Sequence, residues 1–127
     1  VLSDGASRLG VLTDAGMGTP HISAVLSGCD ALVLECNHDV QMLAASRYPQ
    51  SLKARIGGMH GHLNNEAAAA ILASLDRSRL RYLVAAHLSQ HNNSPERVRI
   101  ALAAVLGVAA TEVVVASQAS GFDWLSL

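Results

Sequence analysis

The chain is poor in aromatic residues and cysteine, and it carries no surplus of charge. Tyr48, Tyr82, Phe122 and Trp124 are its only aromatics in 127 residues. A core must therefore be built from Ala, Leu, Val and Ile, within an apolar fraction of 50%. Nine Lys and Arg against ten Asp and Glu leave a net charge of −1, which implies neither a polyanion-binding tail nor an acidic one. Basic residues gather only locally, Lys53 with Arg55 and Arg77 with Arg79 and Arg81, and a solvated turn explains them as easily as a phosphate-binding rim.

Cys29 and Cys36 are too few for a disulfide scaffold. Each lies in or beside a strand-like run, so buried free thiols and a reducing, cytoplasmic compartment are expected. No apolar run reaches membrane-spanning length, and no secretory signal is present. There is no G-x-S-x-G, and the turn at Gly16 lacks the spacing of a phosphate loop or dinucleotide fingerprint. No Ser, Cys or Lys has an activating set around it, so metal-activated water is a better expectation than a side-chain nucleophile. Repeats, low-complexity segments and linkers are absent, which leaves one domain or part of one. The start at Val1, without an initiator Met, reads as a processed, truncated or partly ordered product.

What is present alternates between strand-like and helical patterns. Leu9–Thr13 reads as a strand ending at Asp14, and Thr19-Pro20 opens a short helix that stops at Gly28. Ala31–Leu34 is a second buried strand, running into Glu35-Cys36-Asn37-His38-Asp39. Helices are expected over Asp39–Ala45 and Gln50–Ile56, then from Asn64 or Asn65 to about Leu75. Tyr82–Ala86 is a strand that stops at His87. Pro95–Leu106 is a helix closed by Gly107, and Glu112–Ala116 is a last strand, with Ser117–Leu127 adding an edge hairpin. Such alternation predicts an α/β protein with helices covering its sheet.

Three of these strands end in a potential ligand or acid, namely Asp14, Glu35 and His87, and in α/β sheets chemistry sits beyond the carboxyl ends of strands. Each has two readings. Asp14 either bridges metal ions or accepts turn amides. Glu35 either orients and charge-stabilises a histidine or is solvated. His60-Gly61-His62 has the spacing of a metal pair on an extended segment, but its glycines argue for a loop, and His62 equally suits a proton donor to a leaving group. His38 and Asp39 suit a helix cap, and His21 and His91 suit the surface.

Taken in order, Leu12-Thr13-Asp14-Ala15-Gly16, Leu34-Glu35-Cys36-Asn37-His38-Asp39, Gly61-His62-Leu63-Asn64-Asn65 and Ala86-His87-Leu88-Ser89 resemble the metallo-β-lactamase-fold hydrolases. The likeness is to the YycJ (VicX/WalJ) group and, more distantly, to the tRNA 3′-processing ribonucleases Z. It implies that residues 1–127 form the C-terminal half of a four-layered αββα sandwich, one β-sheet covered by helices. It also implies that Asp14 and His87 are metal ligands, and that Glu35 and His62 form a catalytic proton-donating pair. The intact protein would hold two divalent metal ions, Zn or Mn, and hydrolyse a phosphodiester, with nucleic acid as the substrate class and no membrane partner. A thioester or lactam hydrolase on the same fold, or a non-catalytic α/β interaction module, are the competing expectations.

The signature H-x-H-x-D-H of that family is absent from the sequence. On this reading it belongs to an N-terminal half lying before Val1, and self-association or a missing half follows from the sheet face left uncovered. A catalytic zinc takes three protein ligands and a water, more than Asp14 and His87 supply. The isolated chain is therefore expected to bind divalent metal weakly and to be inactive. Incubation with Zn²⁺ or Mn²⁺ and a phosphodiester checks this, and turnover would refute it.

Overall fold

The expected strands and helices are assembled around one five-stranded sheet in a computed structural model, which describes residues 1–127. The strands are β1 (Leu2–Ser3), β2 (Arg8–Leu12), β3 (Ala31–Glu35), β4 (Tyr82–Ala86) and β5 (Val114–Val115). The helices are α1 (Pro20–Leu26), α2 (Val40–Ala45), α3 (Gln50–Ile56), α4 (Asn65–Ser74) and α5 (Pro95–Leu106), with a 3₁₀ turn at Ala110–Glu112. None is long and apolar enough to cross a membrane.

Local chemistry explains where the helices start. Thr19, Asp39, Asn64 and Ser94 each accept a hydrogen bond from the backbone N–H three residues on, satisfying a donor that the first turn leaves free. Pro20 and Pro95 supply a fixed φ at the first helical position. Gly107, at φ 70°, ends α5 in the left-handed conformation that glycine adopts at little steric cost.

Strands β2 to β5 are parallel and lie side by side in chain order, with β1 antiparallel on the outer edge of β2. Right-handed crossovers between strands laid down in order deliver the sheet-covering helices, α1, α4 and α5, to the same face. Leu26 of α1, Ile71 and Leu72 of α4, and Val98 and Leu102 of α5 accordingly share one core with Leu32, Leu34, Leu83 and Ala85. The alternate strand residues, among them Leu9, Val33, Tyr82 and Val84, point the other way. On that face Val11 remains 48% exposed. Only the C-terminal segment lies against it, where Phe122, Leu125 and Leu127 help line an apolar groove of about 350 Å³. The architecture is α/β, one half of an α/β sandwich.

Two expectations at the C-terminus are corrected. Glu112 is not a strand residue, because its carboxylate accepts the Ala109 N–H and completes the 3₁₀ turn, so β5 is cut to two residues. Ser117–Leu127 forms no hairpin strand. A single antiparallel bridge, Ser117 to Gly121, closes a turn, and the chain then crosses to the helix-free face, where burying Phe122 and the leucines outweighs further pairing. Strand β1 was not anticipated from its short, exposed sequence.

Beneath the loops that follow β3 and β4 lies a buried polar layer. Asn65 and Asn93 exchange side-chain hydrogen bonds, and Asn93 also donates to the Cys36 carbonyl. Asp39 caps α2 and receives Arg97, whereas the His38 side chain caps neither helix and only its carbonyl accepts the Asn65 amide at the start of α4. His38 is buried, its Nδ1 has no partner, and burial, then the nearby His62, lower its pKa below the usual 6.5. The folded state thus prefers neutral His38, while the unfolded chain takes up a proton near 6.5. This contribution to stability is complete above that pH and declines as pH falls below it. Burial opposes ionisation of Asp39, but the Met42 amide and Arg97 outweigh it and hold its pKa below 3.8, so its contribution is lost only in more acidic solution. Urea midpoints measured downward from pH 7 should fall below about pH 6.5, and His38→Gln should flatten the fall. An equal slope in both proteins would exclude His38 as its source.

Candidate metal centre

The carboxyl ends of three adjacent parallel strands meet at one point. Asp14 follows β2, Glu35 ends β3 and His87 follows β4, and the register Leu34 to Ala85 and Glu35 to Ala86 sets the last two side by side. His62 arrives from the loop between α3 and α4. Close backbone approach brings that loop in: a Cβ on Gly16 would lie 2.2 Å from the Met59 carbonyl oxygen, and one on Gly61 would lie 2.1 Å from that of Ile56. Only glycine fits at either place.

Glu35 is fully buried and takes three bonds. Its Oε1 pairs with Nδ1 of His62 at 2.8 Å and with Nδ1 of His87 at 2.7 Å, and its Oε2 accepts the Ala15 amide at 3.1 Å. A carboxylate only accepts, so both imidazoles present Nδ1–H to it and keep Nε2 free. That is the tautomer in which a histidine serves as a metal ligand oriented by a carboxylate. The two rings stand edge to face with centroids 5.3 Å apart. Asp14 lies beside them, its Oδ1 3.7 Å from His62 Nδ1 and its side chain 70% exposed. Ligand atoms of Asp14, Glu35, His62 and His87 all fall within 4.8 Å of one another, so the group could hold a metal ion. Oxygen and imidazole are both donor types that divalent metal ions take.

Asp14 and His87 are also the only non-glycine residues with positive φ, at 57° and 59°. For a histidine this left-handed backbone costs about 1–2 kcal/mol, so something must hold it. Asn37 does: its Nδ2 donates to the His87 carbonyl at 3.1 Å, and its own carbonyl accepts the Ser89 amide at 2.7 Å. Its N–H meanwhile bonds the Leu63 carbonyl, next to His62, at 2.9 Å. Asn37 therefore ties the Glu35, His62 and His87 segments together. Sequence reading passed over it, and its one signal was a short amide directly after a buried strand. His60 is exposed and stands outside the four-residue group, so the H-x-H spacing did not mark a metal pair. His21 and His91 are exposed, as expected. Burial, and then the Glu35 charge, push the Cys36 thiol up to about 12, which removes it as a nucleophile.

The fold and site define an α/β protein with a possible metal-binding group of carboxylates and imidazoles at the ends of its parallel strands. No protein-family profile matches the chain. Over 99 residues, 78% of its length, it is 39% identical to the exodeoxyribonuclease YycJ of Bacillus anthracis. Over 86 residues, 68% of its length, it is 34% identical to the exodeoxyribonuclease WalJ of Streptococcus pneumoniae serotype 2 (strain D39 / NCTC 7466). These matches cover 38% and 32% of those proteins, so the chain spans well under half the length of the relatives it matches. This likeness over most of the chain supports a YycJ-like metallo-β-lactamase group.

Glu35→Gln keeps the volume but places an amide N–H₂ among three donors, so at least one buried pair must fail. Urea unfolding should show a loss of about 1–3 kcal/mol, and ¹⁵N spectra should show His62 and His87 released from the Nδ1–H tautomer. Unchanged stability and tautomers would mean that Glu35 does not organise the cluster.

Proposed function

We propose that this chain supplies one half of a divalent-metal centre that hydrolyses phosphodiester bonds in nucleic acid. The observation that carries the reading is Glu35, which pairs with both imidazoles through one buried oxygen. One carboxylate thereby serves two histidines with different tasks. Asp14 and His87 Nε2 would hold metal, and His62 Nε2, on the more sheltered ring, would give a proton to the departing oxygen. Bound divalent metal, as a pair in the intact site, supplies Lewis-acid activation of water near neutral pH and stabilises charge on the phosphoryl group.

The remaining roles belong to the chain's own residues. Asp14 stands open to solvent beyond β2, where a ligand must be reachable. Glu35 fixes both rings and offsets the positive charge that His62 carries while it is protonated. Ala15 N–H and the buried position of Glu35 keep that carboxylate from turning away. Nucleic acid as substrate is supported by the relatives, whose names describe exodeoxyribonucleases. A proton donor is superfluous for a thioester, whose thiolate departs unprotonated, which speaks against that substrate.

The proposal includes a completing half-site that brings further ligands. The helix-free sheet face, with Val11 and Phe122 still about half exposed, supports it, since the other half of the sandwich would pack there. A cytoplasmic protein is the companion reading, supported by two buried free cysteines.

The test uses the full-length protein and two substrates, a DNA oligonucleotide and a p-nitrophenyl phosphodiester. His87→Ala, which removes a direct ligand, should lower metal affinity by more than the roughly 10–100-fold that loss of an outer partner costs. His62→Ala should retain metal but lose roughly 10²–10⁴-fold in kcat on DNA. It should lose little on the p-nitrophenyl ester, whose leaving group departs without a proton. Equal losses on the two substrates, or metal affinity unaffected by His87→Ala, would sink the assignment.

A further inference from the structure

Two cavities flank His62, and they differ in chemistry. On one side, a space of about 480 Å³ is shared by Asp14, Arg55, His60 and His62, and it carries one Arg beside one Asp. On the other, a space of about 450 Å³ is bounded by His62 and His87 and contains no Asp, Glu, Lys or Arg among its eleven lining residues. We propose that this second cavity is a nucleobase subsite, receiving the base of a nucleotide that flanks the scissile phosphodiester. The inference rests on the nuclease reading above and assigns the substrate's orientation within it.

The lining carries the argument. Gln90 and Gln118 offer carboxamides, and Asn37 and Asn92 add two more, so donors and acceptors are both available without formal charge. A phosphate only accepts and favours a cation such as Arg55, which lines the other cavity beside Asp14. A base both donates and accepts, and it has an apolar face. Tyr48, half-buried in the same lining, provides the aromatic surface on which any base stacks.

Four separate segments build this wall. Asn37 follows β3, Tyr48 precedes α3, Gln90 to Asn92 follow β4 and Gln118 follows β5. The cavity is shallow and broadly open, and its size falls within the range of ordinary ligand sites. A nucleotide lying across His62, with its phosphate toward Arg55 and its base toward Tyr48, would present its ester bond to the ring that donates the proton.

The test uses the full-length protein and pairs kinetics with binding. Two oligodeoxynucleotides differ only in the nucleotide flanking the cleaved bond, natural in one and abasic in the other. Loss of the base should lower kcat/KM about tenfold. Tyr48→Ala should cause the same loss on the natural substrate and add nothing on the abasic one, whereas Tyr48→Phe should behave as the unaltered protein. Equal kcat/KM on the two substrates, or a Tyr48→Ala loss common to both, overturns the subsite and leaves the nuclease reading standing. Binding is read by NMR with deoxyadenosine and thymidine against deoxyribose alone. Tyr48-dependent nucleoside binding in a protein that does not cut DNA supports the subsite and overturns the nuclease reading. Absence of both cleavage and nucleoside binding overturns both.

Discussion

A buried carboxylate with three donors aimed at it holds the strand-end rim of this molecule together. Glu35 is fully enclosed at the end of β3, and removal of a carboxylate from water is costly unless its oxygens are satisfied. The Ala15 amide and the two Nδ1–H groups provide that satisfaction, each from a different loop. The turn after β2, the loop before α4 and the end of β4 are thus drawn to one atom group. Movement of any of them would leave a buried charge short of a partner. Arrangement and stability are therefore coupled at the same residue.

The second constraint is topological. Four parallel strands laid down in chain order send their helices to one face, so the carboxyl ends of β2, β3 and β4 open together on one rim. The opposite face is left to a short C-terminal segment with few aromatic residues, of which Trp124 stands fully exposed. One geometric fact thus underlies both the gathering of the candidate ligands and the half-covered sheet. The left-handed residues at Asp14 and His87 belong to the same design, since each turns its strand sharply at the rim and depends on neighbours such as Asn37 to hold the turn.

Much of this was legible in the residues. Helices α3 and α5 and strand β4 lie where capping, periodicity and glycine or proline punctuation put them. The order Asp14, Glu35, His62, His87 could be picked out because three of the four directly follow or end apolar strand runs. His38 and His60 show where such reading fails. His38 looks like a cap and is a buried, unpartnered imidazole; His60 looks like a ligand and points to solvent. Spacing cannot say which of two neighbouring loop residues turns inward, because loop backbone has no fixed period.

The sequence by itself determined the alternation of strands and helices, the apolar face of each, and the chemical types available at strand ends. These follow from local rules of period, capping and turn geometry. Only the tertiary structure decided that one oxygen of Glu35 serves both histidines, that Asn37 secures His87, and that His62 lines both an uncharged cavity and one that holds Arg55 and Asp14. Those relations join residues as far as 52 positions apart. They depend on strand register and the close approach of backbones at Gly16 and Gly61, which no local pattern encodes.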